Sequence, residues 1–169
     1  MYLTDKLRKN IFLSLCVVIA VALNFFEAVI GTSSIVPGIK IGISNIVILL
    51  ILSMFGFKEA FLLSVFKTVL TSLLFGTGVS FLYSLAGGVL SVITMAVIIK
   101  IKSVSNIGVS MLGSFMHITA QIFIALIILN SKAVFYYYPV LLSLSVITGF
   151  INGYLVNLML KKINYGRRN

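Results

Sequence analysis

Six apolar runs, separated by short polar or glycine-bearing breaks, occupy most of this chain: residues 11–31, 41–56, 60–75, 81–99, 107–129 and 139–160. A helix that crosses a membrane needs about 20 consecutive apolar residues, because at 1.5 Å per residue that length covers the roughly 30 Å hydrocarbon core. A soluble globule is not built from such runs. Soluble chains carry about 25% charged residues, whereas this chain of 169 residues carries 9% and is 60% apolar. The expectation is an all-α, polytopic membrane helical bundle of six transmembrane helices, forming a single membrane domain over residues 1–169. The second and third runs reach only about 24 Å, so their ends are expected to be recessed or their connecting loops to dip inward.

Lys6, Arg8 and Lys9 precede the first run as they would in a signal peptide. That run is too long for a signal-peptide core and has no small-x-small cleavage site, so it reads as a retained first helix. Cytoplasmic connections are enriched in Lys and Arg. With both termini inside, the inner side holds Lys6, Arg8, Lys9, Lys58, Lys100, Lys102, Lys161, Lys162, Arg167 and Arg168, the outer loops hold Lys40 and Lys132, and Lys67 lies within a span. An odd number of spans would put the two most basic ends on opposite faces. The chain is therefore expected in a bacterial cell membrane with N- and C-termini cytoplasmic.

The same distribution argues against nucleic acid as a partner of this +10 chain, since its cations sit at the ends of apolar runs and not in a patch interleaved with aromatics. The lone Cys16 excludes an internal disulfide and a four-cysteine cluster, and the lone His117 excludes bis-histidine haem ligation within the chain. No metal site and no intrinsic cofactor are expected.

Ionisable groups inside apolar spans are costly, and each is a candidate functional residue facing the bundle interior. Glu27 is the one acid in an expected span, Lys67 the one base well inside one. Asn24 and Glu27 share a face late in the first helix. Lys40 and Asn45 lie at the outer start of the second, Lys67 and Thr71 share a face of the third, Tyr83 opens the fourth, and His117 and Gln121 are four apart in the fifth. These nine residues converge on the outer half of the bundle. One reading is a substrate-binding cavity open to the exterior, with Lys40 and Lys67 attracting an anionic group, the Asn, Gln, Tyr and His side chains orienting it, and Glu27 balancing charge. The other is structural, with Glu27 neutralising Lys67 or Lys40 in a fixed interior ion pair. Taken alone, His117 reads as a satisfied core histidine.

Small residues recur within the spans, as in Gly87-Gly88, Ser110 with Ser114, and Gly149 with Gly153, and let helix backbones approach closely. Cys16 and Ala20 make a small-residue face on the first helix, read as intrachain packing. Phe135, Tyr136 and Tyr137, with Tyr138 before Pro139, read as an interfacial belt. The Thr32–Lys40 loop has Pro37-Gly38 turn chemistry and can fold back over the bundle.

Five segments carry a family resemblance: PGIKIGISNIV at 37–47, SLLFGTG at 72–78, SFLYSLAGG at 80–88, IGVSMLGSFMH at 107–117 and FYYYPVLL at 135–142. Over about residues 10–160 the chain resembles the bacterial Gx transporter family, also labelled heptaprenyl diphosphate synthase component I. That family looks similar to the substrate-binding S components of energy-coupling-factor transporters, six-helix bundles that hold vitamins or related molecules near the outer face. Of the His-Asn and Gly-Gln pairs of the family's fifth helix, only His117 and Gln121 carry over. Lys67 stands where many relatives have arginine, keeping a cation but not a planar bidentate donor.

The resemblance implies a membrane-embedded substrate-binding or transport subunit that captures a small anionic or amphipathic solute from outside. Its partners would be the lipid bilayer, the small-molecule ligand, and a transmembrane coupling subunit with ATPases, since no Walker-type phosphate loop is present. A second reading is a membrane component of flavin- or quinone-linked extracellular electron transfer, with a bound flavin or quinone or redox partners. A third is a non-catalytic membrane accessory subunit of polyprenyl (heptaprenyl) diphosphate synthesis. Chain elongation by the usual enzymes needs Mg²⁺ held by aspartate-rich motifs. This chain has only Asp5, Glu27 and Glu59 as acids, no two of them close in sequence. It is not expected to be an enzyme.

Overall fold

The computed structural model describes residues 2–30 and 40–166. They form six helices: α1 (Tyr2–Ile30), α2 (Asn45–Phe55), α3 (Phe57–Phe75), α4 (Gly78–Ile98), α5 (Asn106–Leu129) and α6 (Val134–Gly166). Four contain segments long and apolar enough to cross a bilayer: Lys6–Glu27, Gly78–Ile98, Asn106–Leu129 and Val134–Ile163. The protein is an all-α, multi-span membrane helical bundle.

The boundaries differ most from the apolar runs at α2. The run at 41–56 contributes a helix of 11 residues, about 16 Å long, because its first residues, with Lys40, stay non-helical as far as Ser44. Gly42 sits at φ +98° there, and a Cβ on it would lie 2.7 Å from Asn45 Nδ2. Both the backbone conformation and the space demand glycine. A turn then starts α2, with the amides of Asn45, Ile46 and Val47 bonding the carbonyls of Gly42, Ile43 and Ser44. The run at 60–75 lengthens instead, to the 19 residues of α3, by a polar first turn. Only Gly56, at φ +97°, separates α2 from α3. The two helices form an antiparallel hairpin, with Ser44 and Lys67 bonded at nearly equal distances along the chain from Gly56.

Every α2 residue from Asn45 to Leu52 is buried, and α2 touches all five other helices. A helix too short to span is tolerable here because protein, not lipid, surrounds it. Around it, α5 and α6 cross closely through Gly149 and Gly153. A Cβ on Gly149 would lie 2.8 Å from Met111 Cα, and one on Gly153 2.5 Å from Ile107 Cα. Gly87 faces His117 and Gln121 of α5, while Gly88 faces Ser64 of α3, which lets α4 sit between them. Cys16 and Ala20 of α1 are buried in the core formed chiefly by α2. The opposite face of α1, with Leu15, Val18 and Phe26, is exposed, as lipid contact allows.

The aromatic run belongs to the start of α6 and not to a segment before it. Phe135, Tyr136 and Tyr137 are exposed. Tyr138 departs from the expected belt, its hydroxyl lying 3.0 Å from Thr119 Oγ1 of α5. Of the Thr32–Lys40 loop, residues before Lys40 lie outside the described residues, as does Gly31 of the first run.

Candidate functional site

The non-helical Lys40–Ser44 segment is the structural problem that the polar side chains solve. Peptide groups without helix or sheet partners at membrane depth cost several kcal/mol each unless protein satisfies them. Here side chains from the surrounding helices reach in. Gln121 of α5 accepts from the Lys40 amide at 2.8 Å and donates Nε2 to the Lys40 carbonyl at 2.9 Å. Glu27 of α1 accepts from the Gly42 amide through Oε1. Asn152 of α6 donates Nδ2 to the Gly42 carbonyl at 3.0 Å. Lys67 of α3 donates to Ser44 Oγ at 2.9 Å.

All nine residues expected at the site, Asn24, Glu27, Lys40, Asn45, Lys67, Thr71, Tyr83, His117 and Gln121, are buried, none more than 7% exposed. Their roles differ. Gln121, Glu27 and Lys67 bond the Lys40–Ser44 segment directly. His117 packs against Gly87 on one side and close to Gly42 on the other. Thr71 bonds the Lys67 carbonyl of its own helix at 2.8 Å, so its hydroxyl points along α3. Tyr83 belongs to an apolar cluster with Ile118, Ile122 and Leu141, apart from the charged residues' contacts.

The expected ion pair is not formed. Among the described residues, the carboxylate–ammonium contact within 4 Å is Lys9–Glu59 at 2.6 Å; Glu27 meets neither Lys40 nor Lys67 at that distance. Glu27 acts on both only through longer-range attraction. The peptide amide of Gly42 takes the contact because it lies unpaired beside the carboxylate, where a charge-assisted hydrogen bond is strong.

Several buried polar atoms have no partner among the described residues: Asn24 Oδ1, Glu27 Oε2, both terminal atoms of Asn45, and His117 Nδ1. Cavities of 310, 320, 390 and 400 Å³ open among the described residues, and these are lined by residues other than the nine. The centre is a set of buried polar side chains gathered around a peptide segment. No group of three or more His, Cys, Asp or Glu placed to hold a metal occurs among the described residues.

Two participants, Ser44 and Asn152, are not among the nine residues expected from the sequence. Ser44 adjoins Asn45 but looks like an ordinary helix start. Asn152 lies between the glycines of the Gly149–Gly153 pair, and an asparagine deep in an apolar run carries the same signal of cost that singles out Asn24.

Residues 16–159 match the family model of heptaprenyl diphosphate synthase component I. The chain belongs to that family. The match corrects the Gx transporter and S-component resemblance, and the solute-capture and transport function drawn from it falls with it. No curated protein and no solved structure matches the chain. The chain's three acids, Asp5, Glu27 and Glu59, are scattered and form no aspartate-rich motif.

Proposed function

We propose that this protein is a non-catalytic membrane accessory subunit of polyprenyl, heptaprenyl-type diphosphate synthesis. The observation that carries the reading is the family match over residues 16–159. The residue chemistry supports it from the other direction, because a chain with three acids cannot hold the Mg²⁺–diphosphate complex of chain elongation by itself. The catalyst is then a separate, aspartate-rich synthase, and this subunit supplies a bilayer-embedded face to it. The reading requires no bound flavin or quinone.

In this reading the chain crosses the bacterial cell membrane six times, α2 and α3 acting as one hairpin within the bundle, with both termini cytoplasmic. The strong bias of Lys and Arg towards that side supports the orientation. The basic cytoplasmic connections would then face a soluble partner. Of the nine buried residues, Glu27, Lys67 and Gln121 hold the Lys40–Ser44 segment, and through it the position of α2.

Co-expression tests the proposal. A soluble aspartate-rich prenyl diphosphate synthase from the same cell should co-purify with the detergent-extracted chain, and its product length or rate should change when the chain is added. A synthase that neither associates nor changes its products would overturn it.

A further inference from the structure

Lys58 at the start of α3, and Lys100 and Lys102 just past the end of α4, share one end of the bundle, and all three are exposed. Glu59, beside Lys58 in the chain, is held by Lys9 at 2.6 Å, and among the described residues no carboxylate comes within 4 Å of Lys58, Lys100 or Lys102. This end therefore carries cations whose counter-charge the chain does not itself supply.

An apolar groove of about 400 Å³ opens at the same end, between the α2–α3 turn and the last turns of α4. Leu52 of α2 and Ala96 of α4, both buried, form its floor, and Phe57, Ile93 and Val97, all exposed, form its walls. Lys100 is the charged residue of the lining. Its amide bonds the Val97 carbonyl at 3.3 Å, which fixes its backbone just beyond Ile98, where the apolar span closes. Gly56 keeps the turn side clear, since a Cβ there would meet nothing within 4 Å.

Polarity along this groove thus runs as it does along a membrane lipid, apolar beside the span and cationic where the span ends. Free phosphate would meet Lys100 but leave the apolar length unfilled, and a zwitterionic lipid would bring a cation of its own to a basic end. An acidic phospholipid complements both parts. The volume falls within the roughly 300–1,000 Å³ of ligand pockets, and basic pockets between membrane helices are recurrent sites for anionic headgroups.

We propose that this groove holds an acidic glycerophospholipid, one acyl chain against Leu52 and Ala96 and its phosphate on Lys100. The lipid then bridges the α2–α3 turn to the end of α4 and closes a face that protein leaves open. With the termini cytoplasmic, as proposed above, it comes from the inner leaflet. The binding itself depends neither on that orientation nor on a synthase.

The test uses the full chain in phosphatidylcholine nanodiscs doped with phosphatidylglycerol bearing a diazirine on one acyl chain. Cross-links are expected to concentrate on the groove residues of α2, α3 and α4, competed by unlabelled phosphatidylglycerol but by neither phosphatidylcholine nor inorganic phosphate. Lys100→Gln should lower the labelling about fivefold, the worth of one cation near a membrane surface. Lys132→Gln, at the opposite end of the bundle, should leave it unchanged. Ile93→Trp and, separately, Val97→Trp change exposed walls and fill the groove, and should lower labelling in protein that still elutes as a single species. Equal labelling by a phosphatidylcholine probe, equal losses in the two lysine variants, or competition by inorganic phosphate would overturn the proposal. Pairs of chains that separate in the Val97→Trp protein would give the groove to a second copy and overturn it too. No synthase is present, so none of these outcomes bears on the accessory role.

Discussion

Lys9 and Glu59 meet near the start of α1 and α3 at 2.6 Å, with 37% and 21% of their side chains exposed. Glu27, Lys40 and Lys67, at the other end of α2, are buried and form no such pair. The close partners of Glu27 and Lys67 are the Gly42 amide and the Ser44 hydroxyl. Where water reaches, peptide groups are already solvated and the opposite charges find each other. Where it does not, an unpaired peptide group is itself a strong donor or acceptor, and side chains from α1, α5 and α6 are drawn to it. The first arrangement contributes little to stability and the second a great deal, because the cost of leaving a group unpaired rises steeply on burial.

Removing members of the two sets breaks that comparison in a graded way. Glu27→Leu should have the largest effect, about 4 kcal/mol, since it strands the Gly42 amide and leaves two buried ammonium groups without a counter-charge. Chemical unfolding of the detergent-solubilised variant measures it, and a loss near that of a surface substitution would refute the assigned role. Gln121→Leu unpairs both the amide and the carbonyl of Lys40 and should cost about 3 kcal/mol. Hydrogen exchange adds a local readout there, with the Lys40 and Gly42 amides exchanging faster while α4 stays protected.

Asn152→Leu should cost less, about 1 kcal/mol, because the Gly42 carbonyl keeps its bond from the Asn45 amide at 3.1 Å. A cost as large as that of Gln121→Leu would mean that Asn152 does more than satisfy this carbonyl. Lys9→Ala should be the mildest, under about 1 kcal/mol, even with the ammonium 5.2 Å from the Phe55 ring centroid. Its small effect should shrink further as salt is raised, while the Glu27→Leu loss should not, because buried charges are screened little.

The nine polar residues are legible individually in the sequence, since all but Lys40 are expensive occupants of an apolar run and Lys40 adjoins one, and all nine are buried. Their purpose is not legible in the same way. Gln121 and Lys40 stand 81 residues apart and Asn152 and Gly42 110 apart, distances at which no periodicity carries information. The shortness of the second run agrees with the 11-residue α2, since residues 41–44 of that run are non-helical. The third run misleads by its polar start, because Phe57, Lys58 and Glu59 interrupt hydropathy without interrupting the helix. Transport drew on a resemblance of segments, and the family match places the chain among synthase components instead.

Hydropathy along the chain determined that this protein lives in lipid as helices, because each peptide group there must be satisfied within its own helix and the surface must be apolar. Which of its buried polar groups touch, and that they close around a length of non-helical backbone in place of one another, was decided in three dimensions. Only the packing of α1, α5 and α6 about the short α2 brings those partners within bonding distance.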